Sequence, residues 1–173
     1  MVFVHENKIA LRKLEATDLL SLKELKDSTW MHTHRVSILN MTDQQGWFEK
    51  LSCSNTNYVL VAYEETESAQ VSIGPLGIYK IFNIDWINGS AEIGYDMFEQ
   101  FRGKGFGKRV VISGTGFCFK VLNLRRLTAE VLENNVASIK VIEAAGFEKE
   151  GVKKLAVLKE GVFLNSIVYG NVR

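Results

Sequence analysis

Three glycines, Gly103, Gly105 and Gly107, alternate with other residues in one short stretch that also contains Lys104 and Lys108. An apolar, β-prone segment ends just before this stretch, and a run long enough for a helix follows it. The first turn of a helix has free N–H groups and a partial positive charge, and glycine lets that backbone approach a phosphate closely. The stretch, called the phosphate loop below (residues 102–108), therefore predicts an anion site.

Two common phosphate motifs do not fit the phosphate loop. A nucleotide P-loop needs Gly-x-x-x-x-Gly-Lys-Ser/Thr, but here Arg109 follows Gly107-Lys108, and Arg102 stands where the first glycine would be. A dinucleotide fingerprint needs Gly-x-Gly-x-x-Gly near the start of a βαβ unit, and the spacing here is one residue short. A purely structural turn between a strand and a helix stays open as an alternative, because glycine clusters usually mark turns.

Hydrophobic periodicity predicts the elements that position the loop. A strand over 91–98 leads into it, a helix over 107–121 follows, and then come a strand over 126–132 and a helix capped by Asn134 or Asn135. Similar patterns elsewhere predict further strands at 8–14, 58–63, within 70–84, at 147–158 and at 163–169, and helices that begin at Thr17 and at Thr42 or Asp43.

Length and composition indicate one globular domain, 1–173, because 173 residues with 46% hydrophobic and 24% charged side chains suffice for a substantial core. The net charge of +1 predicts no broad attraction to nucleic acid or to an anionic membrane. Cys53 and Cys118 are far apart and lack metal-ligand spacing, so we expect reduced thiols and no metal. The start has no signal-peptide pattern, and no run reaches the length of a membrane span, which predicts a cytoplasmic protein.

Two segments together resemble the GCN5-related N-acetyltransferase (GNAT) family. Residues 102–107 resemble its Arg/Gln-x-x-Gly-x-Gly/Ala loop, which holds the pyrophosphate of coenzyme A. A downstream segment is similar to the family pattern Asn-x-x-Ser/Ala-x-x-x-x-Glu-x-x-Gly-Phe, and it places those residue types at Asn135, Ser138, Glu143, Gly146 and Phe147. This segment and residues 92–95 are closest in style to the ribosomal-protein N-terminal branch. The resemblance covers about residues 60–169.

The resemblance implies an α/β (α+β) fold with a mixed central sheet of about seven strands flanked by helices. The parallel strands 91–98 and 126–132 would splay apart, and coenzyme A would enter between them. The backbone near Met97 and Phe98 would pair with the pantetheine. The cofactor-binding residues that it implies are Met97, Phe98, Arg102, Gly103, Lys104, Gly105, Phe106, Gly107, Lys108, Asn135 and Ser138. For Asn135, simple helix capping is an equal alternative.

The implied reaction moves an acetyl group from acetyl-CoA to a primary amine. An alkylammonium has a pKa of about 10.4 and must lose a proton before it attacks, which a carboxylate or histidine can accept. Glu130 stands where bacterial ribosomal-protein acetyltransferases have their proposed general base, and Glu92 on the neighbouring strand is the rival catalytic residue. Ile142 stands where many members have a tyrosine acid, so the acid is unassigned: the alternatives are Ser138, water, or a reaction that needs no acid.

The acceptor is a small-molecule amine in the first instance, on a metabolite or an amino-sugar nucleotide. A protein N-terminus and a polyamine are the alternatives, and a non-catalytic acyl-CoA sensor is the alternative of another class. No nucleic-acid or membrane partner is expected, and the chain is expected to be a monomer or homodimer. The residues that fall where the family builds its acceptor pocket are Trp30, His32, His34, Arg35 and Trp47.

Overall fold

The computed structural model describes residues 2–34, 40–65 and 74–173. Its strands are β1 Val2–Glu6, β2 Ile9–Lys13, β3 Tyr58–Glu64, β4 Gly77–Asp85, β5 Ser90–Met97, β6 Arg126–Leu132, β7 Glu148–Lys159 and β8 Val162–Val172. Within these ranges they form one sheet in the order β1-β2-β3-β4-β5-β6-β8-β7. All neighbours are antiparallel except β5 and β6, which are parallel. The predicted mixed sheet is confirmed, with an additional edge strand, β1, that the sequence patterns did not predict.

Four α-helices complete the described fold: α1 Leu19–Thr29, α2 Met41–Ser52, α3 Phe106–Lys120 and α4 Val136–Ala144. Their order and type follow the prediction. The positions at which α1 and α2 start do not. Thr17 lies inside a 3-10 turn, Ala16–Asp18, that precedes α1. The cap of α2 is Asn40, whose Oδ1 accepts from the Asp43 N–H at 2.9 Å, so Asp43 is the third helical residue and not the cap.

Two apolar cores lie on the two faces of the sheet. One packs β-strand residues such as Ile93 and Ala129 against α3 and α4, with Val110 and Ile142 among its fully buried members. The other packs α1 and α2 on β3 and β4. Because successive side chains of a strand point to opposite faces, Glu130, which lies between two members of the first core, points to the face on which α1 and α2 pack.

The parallel strands β5 and β6 are paired over only about half of their length. Their pairing joins Ser90 to Arg126 at one end and Ile93 to Ala129 at the other, and it stops there. Beyond these residues β5 stays paired with β4 out to Met97, and β6 stays paired with β8. The predicted splay is therefore confirmed. The space that it opens beyond the last pair is called the gap below, and open α/β sheets bind ligands at such carboxyl ends of strands.

The remaining sequence expectations concern thiols and membranes. Cys53 is exposed and Cys118 is buried, and neither forms a disulfide. Burial raises the pKa of the Cys118 thiol to about 12, so this residue behaves as a small core side chain. Of the helices in the described ranges, none has the length and apolar character needed to cross a bilayer.

Candidate active site

The phosphate loop is shaped by two glycines in the left-handed region, Gly103 with φ of +71° and Gly105 with φ of +81°. A Cβ atom added at either position would meet no atom within 4 Å. The glycines are therefore required by the backbone conformation, and they leave open space above it. Gly105 is the N-cap residue of α3, and the first helical hydrogen bond runs from the Arg109 N–H to the Gly105 carbonyl at 3.4 Å.

The N–H groups of Phe106, Gly107 and Lys108 come before that first helical bond, so the helix itself supplies no partner for them. They are the donors that an anion would use. Lys104 and Lys108 are both exposed and add positive charge to the loop. The backbone and the lysines together suit a diphosphate, and their contact with one stays a prediction.

Arg102 has a different position from that of a simple phosphate ligand. Its Nε donates to the Met97 carbonyl at 3.0 Å, and one of its terminal nitrogens lies 3.4 Å from Ser28 Oγ. The guanidinium therefore links the end of β5 to α1. A direct contact between Arg102 and a cofactor stays a prediction.

The backbone at the end of β5 shows which groups face the gap. The Phe98 N–H donates to the Leu76 carbonyl at 3.1 Å, on the β4 side of the strand. Backbone groups alternate between the two edges of a strand, so those of Tyr95 and Met97 point to the gap and those of Phe98 do not. The expected pairing of a pantetheine with Phe98 should accordingly shift to Tyr95, a residue that the sequence analysis did not select.

Three elements converge beside Tyr95. A Cβ atom on Gly107 would lie 3.5 Å from the Tyr95 ring, 3.6 Å from Val141 and 3.7 Å from Met97, so α3, α4 and β5 meet here at van der Waals contact. The Tyr95 hydroxyl bonds the Ser138 side chain, and burial raises the pKa of Tyr95, which keeps the phenol protonated at neutral pH. Two hydroxyl groups therefore lie beside the gap, whereas Ile142 is buried in the core.

Asn135 caps α4 and also contacts the N-terminal half of the chain. Its Oδ1 accepts from the Ser138 N–H at 3.1 Å, and its Nδ2 donates to the His32 carbonyl at 3.2 Å. The capping interpretation is thus what the structure shows. A contact between Asn135 and a cofactor stays a prediction.

Glu130 is the first residue of β6 beyond the last pair with β5, so it lies where the gap begins. Its Oε2 accepts from Ser166 Oγ at 3.2 Å, and its Oε1 contacts the Lys153 ammonium. The Nε2 of His34 is 2.7 Å from Ser166 Oγ and 4.0 Å from Glu130 Oε2. These four residues, His34, Glu130, Lys153 and Ser166, are called the Glu130 cluster below.

His34 is half-buried within this cluster. Burial lowers the pKa of its imidazole, Glu130 opposes that change, and Lys153, Lys159 and Lys80 each lower the pKa further. The net direction is downward, so the imidazole is mostly uncharged at neutral pH. His34 thus lies beside the predicted base as a neutral hydrogen-bonding group.

Glu92, the rival base, lies in the closed part of the sheet. Its register partner on β6 is Thr128, two residues before Glu130, and its carboxylate accepts from Asn83 Nδ2 at 3.0 Å. Arg126, at the start of β6, binds Glu150. The register therefore places Glu130, and not Glu92, where the gap begins, and the assignment of the base stays a prediction.

The predicted acceptor residues separate into two groups. The first is held against the C-terminal half: Lys159 Nζ donates to the Trp30 carbonyl at 2.7 Å, and His32 and His34 bind Asn135 and Ser166 as described above. The second is Trp47 on α2, whose ring lies under the Lys26 ammonium at 3.8 Å. Arg35 lies outside the described residues.

Sequence reasoning did not select Ser166, Lys153 or Lys159, which lie on the terminal hairpin β7–β8. Ser166 and Lys159 are buried polar residues, 0% and 5% exposed, but no local pattern marks them. Strand pairing brings Ser166 and Lys153 to Glu130, since Val168 pairs with Glu130, Ser166 points to the same face two residues away, and Lys153 pairs with Ser166. Over the residues that the structure describes, no group of three or more potential metal ligands is found.

The described residues thus combine a helix start with free N–H groups and a carboxylate at the point where two parallel strands separate. The model of the Acetyltransferase (GNAT) domain family matches residues 8–148. The uncharacterized N-acetyltransferase p20 of Bacillus licheniformis is 31% identical over 163 residues, which are 88% of this chain and 85% of that protein. The chain therefore belongs to the GNAT acetyltransferase family and is an acetyl-CoA-dependent N-acetyltransferase.

Two further proteins are similar over different lengths. A ribosomal N-acetyltransferase-like protein of Bacillus subtilis strain 168, YdaF, is 29% identical over 93 residues, 54% of this chain and 51% of that protein. The crystal structure of spermidine N-acetyltransferase from Vibrio cholerae, in complex with CoA and spermine, superposes with a TM-score of 0.86 over 95% of both chains at 19% identity. The second likeness confirms the fold prediction.

Proposed function

We propose that this protein acetylates the primary amine of a small molecule, with Glu130 as the general base and the whole chain, 1–173, as one catalytic domain. The proposal rests on the position of Glu130, one residue past the last β5–β6 pair and on the face opposite the α3–α4 core. A monomer or a homodimer remains our prediction for its assembly.

The residues fit acetyl-CoA at the phosphate loop, where the left-handed glycines leave the space above the backbone open. The N–H groups that start α3, with Lys104 and Lys108, would hold the diphosphate. The gap-facing backbone of Tyr95 and Met97 would pair with the pantetheine. When bound, the cofactor supplies a thioester carbonyl that an amine nitrogen can attack.

Glu130 would prepare the amine for that attack. An alkylammonium with a pKa of about 10.4 is almost entirely protonated at pH 7, so its lone pair is unavailable until a base removes a proton. A positioned base typically contributes about 10²- to 10⁴-fold to such a step. The hydroxyl pair of Tyr95 and Ser138 is placed on the other face, where it would protonate or hydrogen-bond a leaving thiolate in place of the tyrosine that Ile142 replaces.

The charges around His34 favour an acceptor that carries an anionic group beside its amine. The ammonium groups of Lys80, Lys153 and Lys159 lower the pKa of this ring and Glu130 raises it, while Lys80 is itself paired with Asp96 at 2.8 Å and Lys153 with Glu130. A phosphate or carboxylate on the acceptor would be attracted to this side of the gap. An amino-sugar nucleotide combines a primary amine with a diphosphate and meets this description.

A polyamine is the second candidate, because the Vibrio cholerae spermidine N-acetyltransferase, solved with spermine, has the same fold. At 19% sequence identity, the likeness of the two structures supports a common fold but does not identify the acceptor. A polyamine carries several ammonium groups, which need carboxylates, and the lysines near His34 disfavour it.

A thiol-release assay with acetyl-CoA tests both candidates. The acceptors are an amino-sugar nucleotide, the same amino sugar without its nucleotide, spermidine and a short peptide. We expect the largest kcat/KM for the nucleotide and a clear loss for the bare sugar, because the sugar lacks the diphosphate. A preference for spermidine would establish the polyamine function instead. Binding of acetyl-CoA without thiol release for any amine would indicate the non-catalytic sensor.

A further inference from the structure

The Glu130 cluster contains a hydrogen-bond chain whose direction follows from counting protons. An ionised carboxylate can only accept, and a serine hydroxyl has one hydrogen. Ser166 Oγ therefore donates that hydrogen to Glu130 Oε2, at 3.2 Å. The contact of 2.7 Å between His34 and Ser166 then requires His34 Nε2 to be the donor. The chain runs from His34 Nε2–H to Ser166 Oγ–H to Glu130 Oε2.

The chain is built on rigid parts of the fold. Ser166 is fully buried on β8, and β8 pairs with β6 along the whole length of β6. Lys153 on β7 contacts the other carboxylate oxygen, so both oxygens of Glu130 are held. His34 is kept in place because the Trp30 and His32 carbonyls accept hydrogen bonds from Lys159 and Asn135.

We propose that Ser166 is a positioning residue for the general base, and that His34 fixes the direction in which the Ser166 hydroxyl donates. The inference rests on the proposed role of Glu130. A carboxylate that accepts one bond at each oxygen has a fixed orientation, which leaves defined lone pairs for the amine in the gap. A neutral imidazole at the end of the chain orients Ser166 without bringing a further positive charge, which would make Glu130 a weaker base.

The first test compares Ser166→Ala with Ser166→Cys in steady-state kinetics. Alanine removes the donor with little change in volume, whereas cysteine keeps a weak donor. We expect Ser166→Ala to lower kcat by about 10- to 100-fold, the usual effect of losing a hydrogen bond to a charged group. The KM for acetyl-CoA should not change, and Ser166→Cys should recover part of the loss. In Glu130→Gln, adding Ser166→Ala should cause no further loss.

The second test uses His34, which is half-buried and tolerates substitution more readily than Ser166. His34→Gln keeps an N–H donor near the position of Nε2, and His34→Ala removes it. We expect His34→Gln to keep most of the turnover and His34→Ala to be slow like Ser166→Ala. If the two His34 variants are equally slow, His34 acts by its own protonation and the positioning role is overturned.

A third measurement needs no turnover. A ¹⁵N–¹H correlation spectrum of the protein near pH 7.5 shows which ring nitrogen of His34 carries the proton. We expect Nε2–H in the wild type and a mixture of tautomers in Ser166→Ala. A wild-type protein with the proton on Nδ1 overturns the chain. Normal kcat in Ser166→Ala with a slow Glu130→Gln also overturns it while leaving the proposed function intact, whereas normal kcat in both variants removes Glu130 as the base.

Discussion

The phosphate loop and the Glu130 cluster face the same gap but are built in opposite ways. The loop is one continuous stretch, 102–108, whose donors are backbone N–H groups and whose shape comes from two left-handed glycines. The Glu130 cluster joins side chains from three strands and from the segment after α1, with partners as far apart as His34 and Ser166. Its donors and acceptors are all side-chain atoms.

This difference determines how each site responds to mutation. A backbone site is lost when an added side chain obstructs it, and the rest of the fold is little affected. A side-chain cluster is lost when one partner is removed, because a buried polar group then has no hydrogen bond. We therefore expect changes in the loop to reduce cofactor binding, and changes in the cluster to reduce turnover with binding intact.

The largest effect is expected for Glu130→Gln, which keeps size and some hydrogen bonding but cannot accept a proton. Turnover at pH 7 should fall by about 10²- to 10⁴-fold. Raising the pH should recover much of the loss, because the amine then deprotonates without help. Thiol-release rates over a pH series measure this, and acetyl-CoA binding should not change.

Glu92→Gln is the matched comparison, because Glu92 lies on the same face of the sheet and pairs with Thr128, two residues before Glu130. A slow Glu92→Gln beside a normal Glu130→Gln would assign the base to Glu92. Full activity of both variants across the pH range would mean that water accepts the proton and that positioning alone provides the catalysis.

Gly105→Val should abolish cofactor binding. Acetyl-CoA at about 100 times its Kd should stabilise the wild type by about 2.7 kcal/mol, which is measured as a rise in melting temperature. A branched side chain at φ of +81° strains the loop and covers the N–H groups of α3. The variant should therefore show no ligand-induced shift.

Gly161→Val is the control for that strain. Gly161 has φ of +79° and open space around it, as Gly105 does, but it lies in the turn between β7 and β8. Its intrinsic stability should fall like that of Gly105→Val, and its shift with acetyl-CoA should stay. Equal shifts in both variants would remove the loop from the cofactor site.

Asn135→Ala links the two sites, because Asn135 caps α4 and binds the segment that contains His34. Loss of an N-cap side chain costs about 1 kcal/mol of unfolding free energy. Asn40→Ala removes the equivalent cap of α2 and should cost a similar amount in denaturant unfolding. Only Asn135→Ala should also lower kcat, and equal kcat in the two variants would contradict the link.

The smallest effect is the contribution of His34 to the pH dependence of stability. The pKa of His34 is lowered in the folded protein, so the unfolded chain binds more protons once the pH falls below about 6.5. Stability should therefore decrease as the pH drops through that value, and level off below the folded pKa. Denaturant unfolding of the wild type and of His34→Gln, at about six pH values between about 5 and about 7.5, measures this decrease. The stability of His34→Gln should decrease less steeply with falling pH. Identical slopes of stability against pH in the two proteins would contradict a lowered pKa of His34 in the folded state.

Much of the fold follows from local patterns in the sequence. The strand over 126–132 and a helix cap at Asn134 or Asn135 were predicted, and the structure has the strand at those residues and the cap at Asn135. The phosphate loop was predicted for the same reason, since glycine spacing before a helix has a local conformational meaning. Hydrophobic alternation and helix capping involve residues a few positions apart, so a short window contains the information.

The Glu130 cluster depends on contacts that no short window contains. Glu130 itself was predicted through the family resemblance, but its partners Ser166 and Lys153 were not. Their position depends on the register of β6 with β8 and of β8 with β7, which has two irregularities along the hairpin. A shift by one residue would turn Ser166 to the other face of the sheet. The direction of the Arg102 side chain likewise depends on Ser28, a neighbour that only folding brings close. The Asn40 cap and the pairing of β1 with β2 are local, and the sequence analysis did not select them.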